Sequence, residues 1–550
     1  MKTIIYNAKA YIERETFAGA ILIEDGFIST VGSNEKILSY ASSDAVQINA
    51  EGHLVLPGFN DSHLHLHDFG RNLHRIQAYD VTSISELIER GKEVVARLCP
   101  PRGSVVTGTG WNQELFTDEK RHPNRFDLDK ISTDHAIIID RVCGHSVCCN
   151  TLAMEMAGVN RETLDVEGGH MDRDEKGDLL GIFRENAIYD IKKIIPPYTP
   201  EQVQNQLEYA LQHAIENGLT SVSSRDIIDD NYQMLINSFV KIFEEGHARI
   251  RVTMQCSLDD EATFDKFIEL GYVTRQTVRH PLLKMGPLKL FADGSLGSQT
   301  AYMRKPYADC PSTTGLRVMT QRTMDTLVHK AHTNGLQVIV HAIGDAAIDE
   351  VLNSFEKVTN KGSNPLRHAV VHCQITDKGL LERMAANNIL AIVQPIFLTH
   401  DLYIVDSRVG GELASTSYAF NTMEKLGIRA AYGTDCPVES MNPLECIHCA
   451  VNRQDIESGY PKGGYYPQER VDVWTAVDNY TTGSAYATFE EEVKGRIKPG
   501  FYADLVMLDK DIFSIPPEEI KNARVLMTMV EGQIVYNKTF KERAGVEHAF

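Results

Sequence analysis

His63 and His65 stand two residues apart at the end of an apolar run, LVLPGFNDS followed by His63-Leu64-His65. On a strand, residues i and i+2 project to the same face, so two imidazoles spaced this way converge on one point. Three more residues occupy the same kind of position: His341 follows LQVIV, His372 follows HAVV and Asp435 follows RAAYGT. Taken singly, each reads equally well as a satisfied core or surface group. Together they read as a ligand set, because neutral imidazole and carboxylate oxygen suit Zn2+ and other divalent metals. The expectation is one or two divalent ions per chain, zinc first among them.

Lys289 extends the set. It sits in PLKLFADGS between Leu288 and Leu290. A bare ammonium directed inward is costly unless paired, and it repels a neighbouring metal ion. Neutralising the amine removes both problems, as does carbamylation by CO2 into an anionic bridging ligand. The alternative is an ion pair with Asp293 or another acid. His67 shares the parity of the first pair but falls beyond the strand end, which makes it a bystander or a supporting group.

Positioning these groups requires parallel strands that all end on one side. Eight apolar runs fit: LVLPGFNDSHLHLH, LTSVSSRD, RIRVTMQC, PLKLFADGS, LQVIVHAIGD, HAVVHCQ, ILAIVQPI and RAAYGTDC. Helical stretches separate several of them: Glu201 to Glu216, Arg322 to Thr333, Ala346 to Val358 and Lys378 to Asn387. Eight parallel strands with helices between them close into a (β/α)8 barrel whose catalytic groups line the C-terminal mouth. The barrel is expected over residues 56–495. Residues 1–55 and 496–550 both read as short strands broken by turns, and neither end suffices for a stable sheet alone. Together they form an expected small β-domain. Residues 100–200, between the first and second strands, are far too long for a βα loop and read as an inserted subdomain.

The chain has 550 residues, 43% of them hydrophobic, and a net charge of −20. Such a charge repels phosphate backbones and anionic lipid, which argues against nucleic acid as a partner. No apolar window is long enough to span a membrane. Met1 to Ile12 lacks the basic start and apolar stretch of a signal peptide. Ten scattered cysteines show no disulfide framework. Cys143, Cys148 and Cys149 cluster without a zinc-ligand spacing and read as buried small hydrophobes. The expectation is a cytoplasmic protein acting on a small molecule, with a homo-oligomer left open.

The ordered stretches LPGFNDSHLHL, GWNQE, RVCGHS, KLFADGSLGSQTA, VHAIGDAAID, VHCQ, GTDCPV and GRIKPGFYADLVMLD carry a resemblance. Over nearly its whole length the chain resembles the amidohydrolase superfamily, in the branch similar to N-substituted formamide deformylase. The resemblance implies a distorted (β/α)8 TIM barrel with a β-sandwich made from both chain termini. It implies metal ligation by His63, His65, His341, His372 and Asp435, and it matches Lys289 to a position that is often a carboxylated lysine (N6-carboxylation) bridging two metals. Gln299-Thr300-Ala301 departs from a family stretch that more often reads Arg-Thr-Ala.

The chemistry expected of these groups is hydrolysis of an amide C–N bond by metal-activated water, with Asp435 as general base and then proton donor to the leaving nitrogen. The insert is expected to cap the metal and to meet the substrate through Trp111 and His145; insert core for Trp111 and a surface turn for His145 are the plainer alternatives. Asp345 is expected to cap a helix. ADGSLGS lacks the Gly-Lys-Ser/Thr ending of a phosphate loop. A barrel that binds or regulates without catalysis, or a metal-dependent lyase or isomerase, are the competing readings; metal content and product analysis separate them.

Overall fold

The structure, a computed structural model, describes residues 2–142, 145–229, 232–258, 260–359 and 362–538. Cys143, Gly144 and the last residues of the 496–550 segment lie outside the described residues. The chain divides into two compact units, one of Met1–Leu66 with Leu207–Phe550, the other His67–Gln206.

In the first unit, among the described residues, eight strands follow one another in a parallel sheet: β1 Phe59–Leu64, β2 Leu219–Ile228, β3 Arg251–Ser257, β4 His280–Phe291, β5 Val338–Ala342, β6 Ala369–His372, β7 Leu390–Val393 and β8 Ala430–Tyr432. They are the eight runs expected from the sequence. β6 and β7 are buried along their full length. Burial on both faces is why these runs are apolar throughout rather than alternating. The register is exact enough to align the key side chains: Phe291 pairs with His341, and Ala342 with His372.

Two backbone bonds bring the last strand to the first. The Asp435 N–H donates to the His63 carbonyl at 2.8 Å, and the His65 N–H to the Cys436 carbonyl at 2.8 Å. Gly433 makes this approach feasible, since a Cβ there would lie 2.7 Å from the His63 nitrogen. The sheet is thus a nearly closed barrel.

Strands from both chain ends build two further sheets. One joins Phe27–Gly32, Ala20–Glu24, Lys2–Tyr6 and Val46–Asn49. The other runs through Gln533–Asn537, Val525–Val530, Leu505–Leu508, Leu54–Pro57, Lys9–Glu13 and Thr16–Ala18. Ile5, Ile21 and Ile23 from the first pack with Val55, Leu505, Met527 and Met529 from the second in one buried cluster.

A buried charge group ties the strands of the barrel to the chain that follows it. Lys494 Nζ lies 2.6 Å from Glu490 Oε2 and 2.6 Å from Ser221 Oγ, and Lys284 Nζ also pairs with Glu490. Burial alone would push the Glu490 carboxyl up, but Lys494 and Lys284 hold it at about 2, below the ordinary 4.5. A depressed carboxylate contributes stability that is complete above its unfolded value and disappears as pH falls through the folded one. Urea unfolding between pH 5 and pH 2 should therefore lose on the order of 3 kcal/mol through this group. Glu490→Gln should be less stable at neutral pH and flatter over that window. A variant with the wild-type pH slope would place the acid sensitivity elsewhere.

The second unit carries its own sheet, in the order Gly169–Arg173, Leu179–Glu185, Ser146–Cys149, Ala136–Arg141, Val105–Trp111 and Arg75–Gln77. It spans more than the 100–200 stretch read from the sequence, because Arg75–Gln77 pairs in parallel with Val105–Trp111. Cys148 and Cys149 are buried, and every cysteine among the described residues is a free thiol. No helix among them is long and apolar enough to cross a membrane.

Candidate metal centre

Four imidazoles meet at the ends of β1, β5 and β6. Ring centroids are 5.3 Å apart for His63 and His65, 5.8 Å for His63 and His372, and 4.5 Å for His341 and His372. Asp435, just past β8, faces the first pair: its Oδ1 lies 3.0 Å from His65 Nε2 and 3.5 Å from His63 Nε2. Ligand atoms of His63, His65 and Asp435 all fall within 4.8 Å of one another. His372 and Asp435 have φ of 71° and 59°. Left-handed backbone at a residue other than glycine costs about 1–3 kcal/mol, and it is retained where a side chain must be aimed.

The rings are locked from behind. The Gln255 amide donates to the Ser62 carbonyl at 3.0 Å, which turns its oxygen toward His63 Nδ1 at 2.7 Å. His65 Nδ1 lies 3.1 Å from the Arg225 carbonyl, and His372 Nδ1 2.8 Å from Gln394 Oε1. His341 presents the other edge, with Nε2 2.9 Å from the Gly294 carbonyl. A carbonyl only accepts, so the facing nitrogen carries the proton and the opposite nitrogen is a lone pair. This is how histidines are prepared for metal.

The His65–Asp435 contact tests the fit. With its proton on Nδ1, the neutral ring directs a lone pair at a carboxylate oxygen 3.0 Å away. Two acceptors at that distance require a second proton or a cation between them. The donor set, imidazole nitrogen and carboxylate oxygen, is one that divalent metals take.

Lys289 is fully buried, with Nζ 4.3 Å from the centre of the Phe291 ring. Burial and then the Lys289 charge push His341 down to about 3. Burial pushes His63 and His372 well below the ordinary value, with Lys289 adding to it in both. All three are therefore neutral. Asp293 accepts the backbone N–H groups of Tyr302, Ile343 and Gly344 at 2.8, 3.0 and 2.8 Å, while burial pushes its carboxyl up to about 7. His341 Nε2 is 3.5 Å from it.

The six residues expected at the metal are thus brought to one region. Their supports were missed: Gln255 and Gln394 also close apolar strands, in RVTMQ and LAIVQ, but an amide carries no ligand signal. Asp61 shares the parity of His63 and could have been found that way. Phe397 stacks on His372, with centroids 5.8 Å apart at 13°.

His67, in the helix Leu66–Arg71, lies 3.0 Å from Gln206 Oε1 within the second unit. Asp345 is the first residue of its helix; Gly344 occupies the cap, and the Asp345 carboxylate accepts the Arg304 N–H at 2.9 Å instead. Trp111 is fully buried in the core of the second unit and donates to the Ile139 carbonyl at 3.1 Å. The expected ligand contact therefore does not fall to Trp111 itself; its ring supports His122, whose centroid is 5.0 Å away. His145 is exposed, lines an open pocket with Arg141 and Arg184, and pairs with Glu185 at 3.0 Å.

A parallel barrel whose strand ends gather imidazoles and a carboxylate is the architecture of metal-dependent hydrolases. A solved metal-dependent hydrolase of unassigned activity from Pyrococcus furiosus superposes with a TM-score of 0.76 at 28% identity, over 94% of this chain and all of that one (100%). Residues 47–536 match the pattern of the Amidohydrolase family, and the chain belongs to that family. YtcJ of Bacillus subtilis (strain 168), which carries an amidohydrolase name, is 33% identical over 546 residues, covering 98% of this chain and 100% of its own. The N-substituted formamide deformylase of Arthrobacter pascens is 26% identical over 97% of both chains.

Proposed function

We propose that the protein hydrolyses the C–N bond of a linear amide, an N-substituted formamide or a close relative. The observation that carries this is the convergence of His63, His65 and Asp435 within 4.8 Å, with each ring's far nitrogen already committed to an acceptor. The formamide preference draws on the 26% identity to the Arthrobacter pascens enzyme. Free thiols among the described residues support a reducing, cytoplasmic setting.

His63, His65, His341, His372 and Asp435, joined by Lys289, would hold one or two divalent ions, zinc being the best match to the donors. An ion bound there supplies a nucleophile at neutral pH and polarises the scissile carbonyl. The chain's own groups do the rest. Asp435, with one oxygen turned toward both His63 and His65, takes the proton from the attacking water. It then delivers that proton to the nitrogen of the departing amine. His63, His341 and His372 stay neutral through burial, so none competes for it.

The decisive experiment pairs metal analysis with formate release from N-alkylformamides. Chelation should remove both metal and activity, and zinc should restore both together. Full activity in a chelated sample that rebinds no metal would end this reading.

For Lys289 the expected active form is the carboxylated amine. An ammonium buried among imidazoles opposes any cation placed there, and its conversion to a carbamate reverses that sign. Metal uptake from CO2-depleted buffer should be slow and incomplete, and bicarbonate should restore it. A free amine by intact mass in a fully metal-loaded, active sample would refute the modification.

A further inference from the structure

A cavity of about 530 Å³ lies wholly within the second unit. Arg141, Arg184, His122, His170 and Ser146 line it, and the largely exposed pair His145 and Glu185 completes the lining. The sheet explains why these side chains share it. Ser146 pairs with Arg184, and Arg184 with His170, on adjacent antiparallel strands. Residues directly opposite one another on such strands project to one face. Two residues along, Cys148 and Ile182 oppose each other on that same face, where they are buried with Ile139 and Trp111 in one apolar cluster. Arg141 has the parity of Ile139 on the strand beside Ser146–Cys149. The cavity is therefore the polar end of the face that the apolar cluster fills.

Arg141 is held there without being neutralised. Its Nε donates to Gln113 Oε1 at 2.9 Å and its Nη2 to Asn112 Oδ1 at 3.3 Å; both are neutral amide oxygens, and among the described residues it forms no ion pair. Arg184 is different, since Asp172 accepts from it at 2.8 and 2.7 Å. Arg184 Nη2 also lies 3.4 Å from His122 Nδ1. A guanidinium only donates, so this nitrogen accepts and the neutral ring carries its proton on Nε2. Ser146 gives the second observation. It is 4% exposed, and its Oγ has no hydrogen-bond partner among the described residues. A buried hydroxyl left unpaired costs stability. A metal ion is a poor occupant: two guanidinium groups repel it, and among the described residues only His63, His65 and Asp435 bring three ligand atoms within 4.8 Å of one another. Glu185, the acid in the lining, faces His145 at 3.0 Å. The charge left to be met is that of Arg141, and an oxyanion meets it while also accepting from a hydroxyl.

We propose that this cavity binds a small molecule through an oxyanion, a carboxylate or a phosphate, with Arg141 as its countercharge and the Ser146 hydroxyl as a hydrogen-bond donor. The volume is that of a small-molecule site rather than of a bare ion. The residues of the candidate metal centre all belong to the first unit, so the inference goes beyond the hydrolase reading and does not depend on it.

Calorimetry on the metal-loaded full chain tests this, with benzoate and phenyl phosphate as the two anions and benzyl alcohol as the neutral probe. One of the anions should bind roughly tenfold more tightly than benzyl alcohol or better, and which one does so tells a carboxylate site from a phosphate site. Arg141→Gln keeps an amide donor but loses the charge. It should weaken that anion about tenfold or more, with metal content unchanged. Arg141→Lys should recover only part of the loss, because lysine keeps the charge without the planar fork. Ser146→Ala should weaken the anion about threefold or more. Its urea midpoint should equal or exceed that of the wild type, since the hydroxyl has no partner in the protein to lose. An anion seated on the metal instead would bind Arg141→Gln as it binds the wild type. That result overturns the proposal, as do equal binding of anions and benzyl alcohol to the wild type, and undiminished affinity in Ser146→Ala.

Discussion

Asp435→Asn is expected to lower kcat by roughly 10²–10⁴-fold, with zinc content close to that of the wild type. The side chain keeps its volume and one oxygen, so it can still face His63 and His65, which it approaches at 3.5 and 3.0 Å. What it would lose is the proposed role, accepting a proton from water and passing it on. A residue that only filled space or held metal would give another pattern. The loss would then track metal content and would be repaired by excess zinc. Asp435→Ala, which removes the proposed ligand atom as well, should lose metal and activity together. His63→Ala and His65→Ala should behave like Asp435→Ala rather than like Asp435→Asn. If Asp435→Asn turns over at a near-normal rate with a full complement of metal, the proton moves through another group.

The residues of the candidate metal centre follow one rule, applied strand by strand: a ligand-type residue placed where an apolar run ends. His341, His372 and Asp435 each obey it, and each lies where the rule puts it. The eight runs were equally legible, because a strand buried on both faces has to be apolar throughout. The rule is blind to supports. Gln255 and Gln394 stand at strand ends too, but what they do depends on facing a ring across a barrel that the sequence does not draw. Nothing local marks the left-handed backbone at His372 and Asp435, where the usual signal would be a glycine. The edge of the second unit is hard to read locally for a related reason. Arg75–Gln77 is a three-residue strand, too short to show a period, and its membership depends on pairing with Val105–Trp111.

Asp61 shows the same dependence on distant partners. It lies two residues before His63 and is fully buried. Its carboxylate accepts the His63 N–H at 3.0 Å, the Thr434 N–H at 3.1 Å, the Thr434 hydroxyl at 2.7 Å and the Tyr480 hydroxyl at 3.1 Å. Burial pushes the group up to about 7, but each of these donors needs its oxygens whatever their charge. Asp61→Ala therefore strands buried donors on β1, beside Asp435 and on the chain after the barrel. At about 1–3 kcal/mol for each, and allowing for water entry, a loss of about 4 kcal/mol or more is expected in urea unfolding. Metal should be lost with it. Thr434 precedes Asp435, and the two backbone bonds that join β8 to β1 hold His63, His65 and Asp435 in register. Asp61→Asn keeps one acceptor oxygen and should recover at least half of both losses. A variant lacking the carboxylate yet as stable and as metal-rich as the wild type would mean that Gly433 and the two backbone bonds align the ligands without help from Asp61.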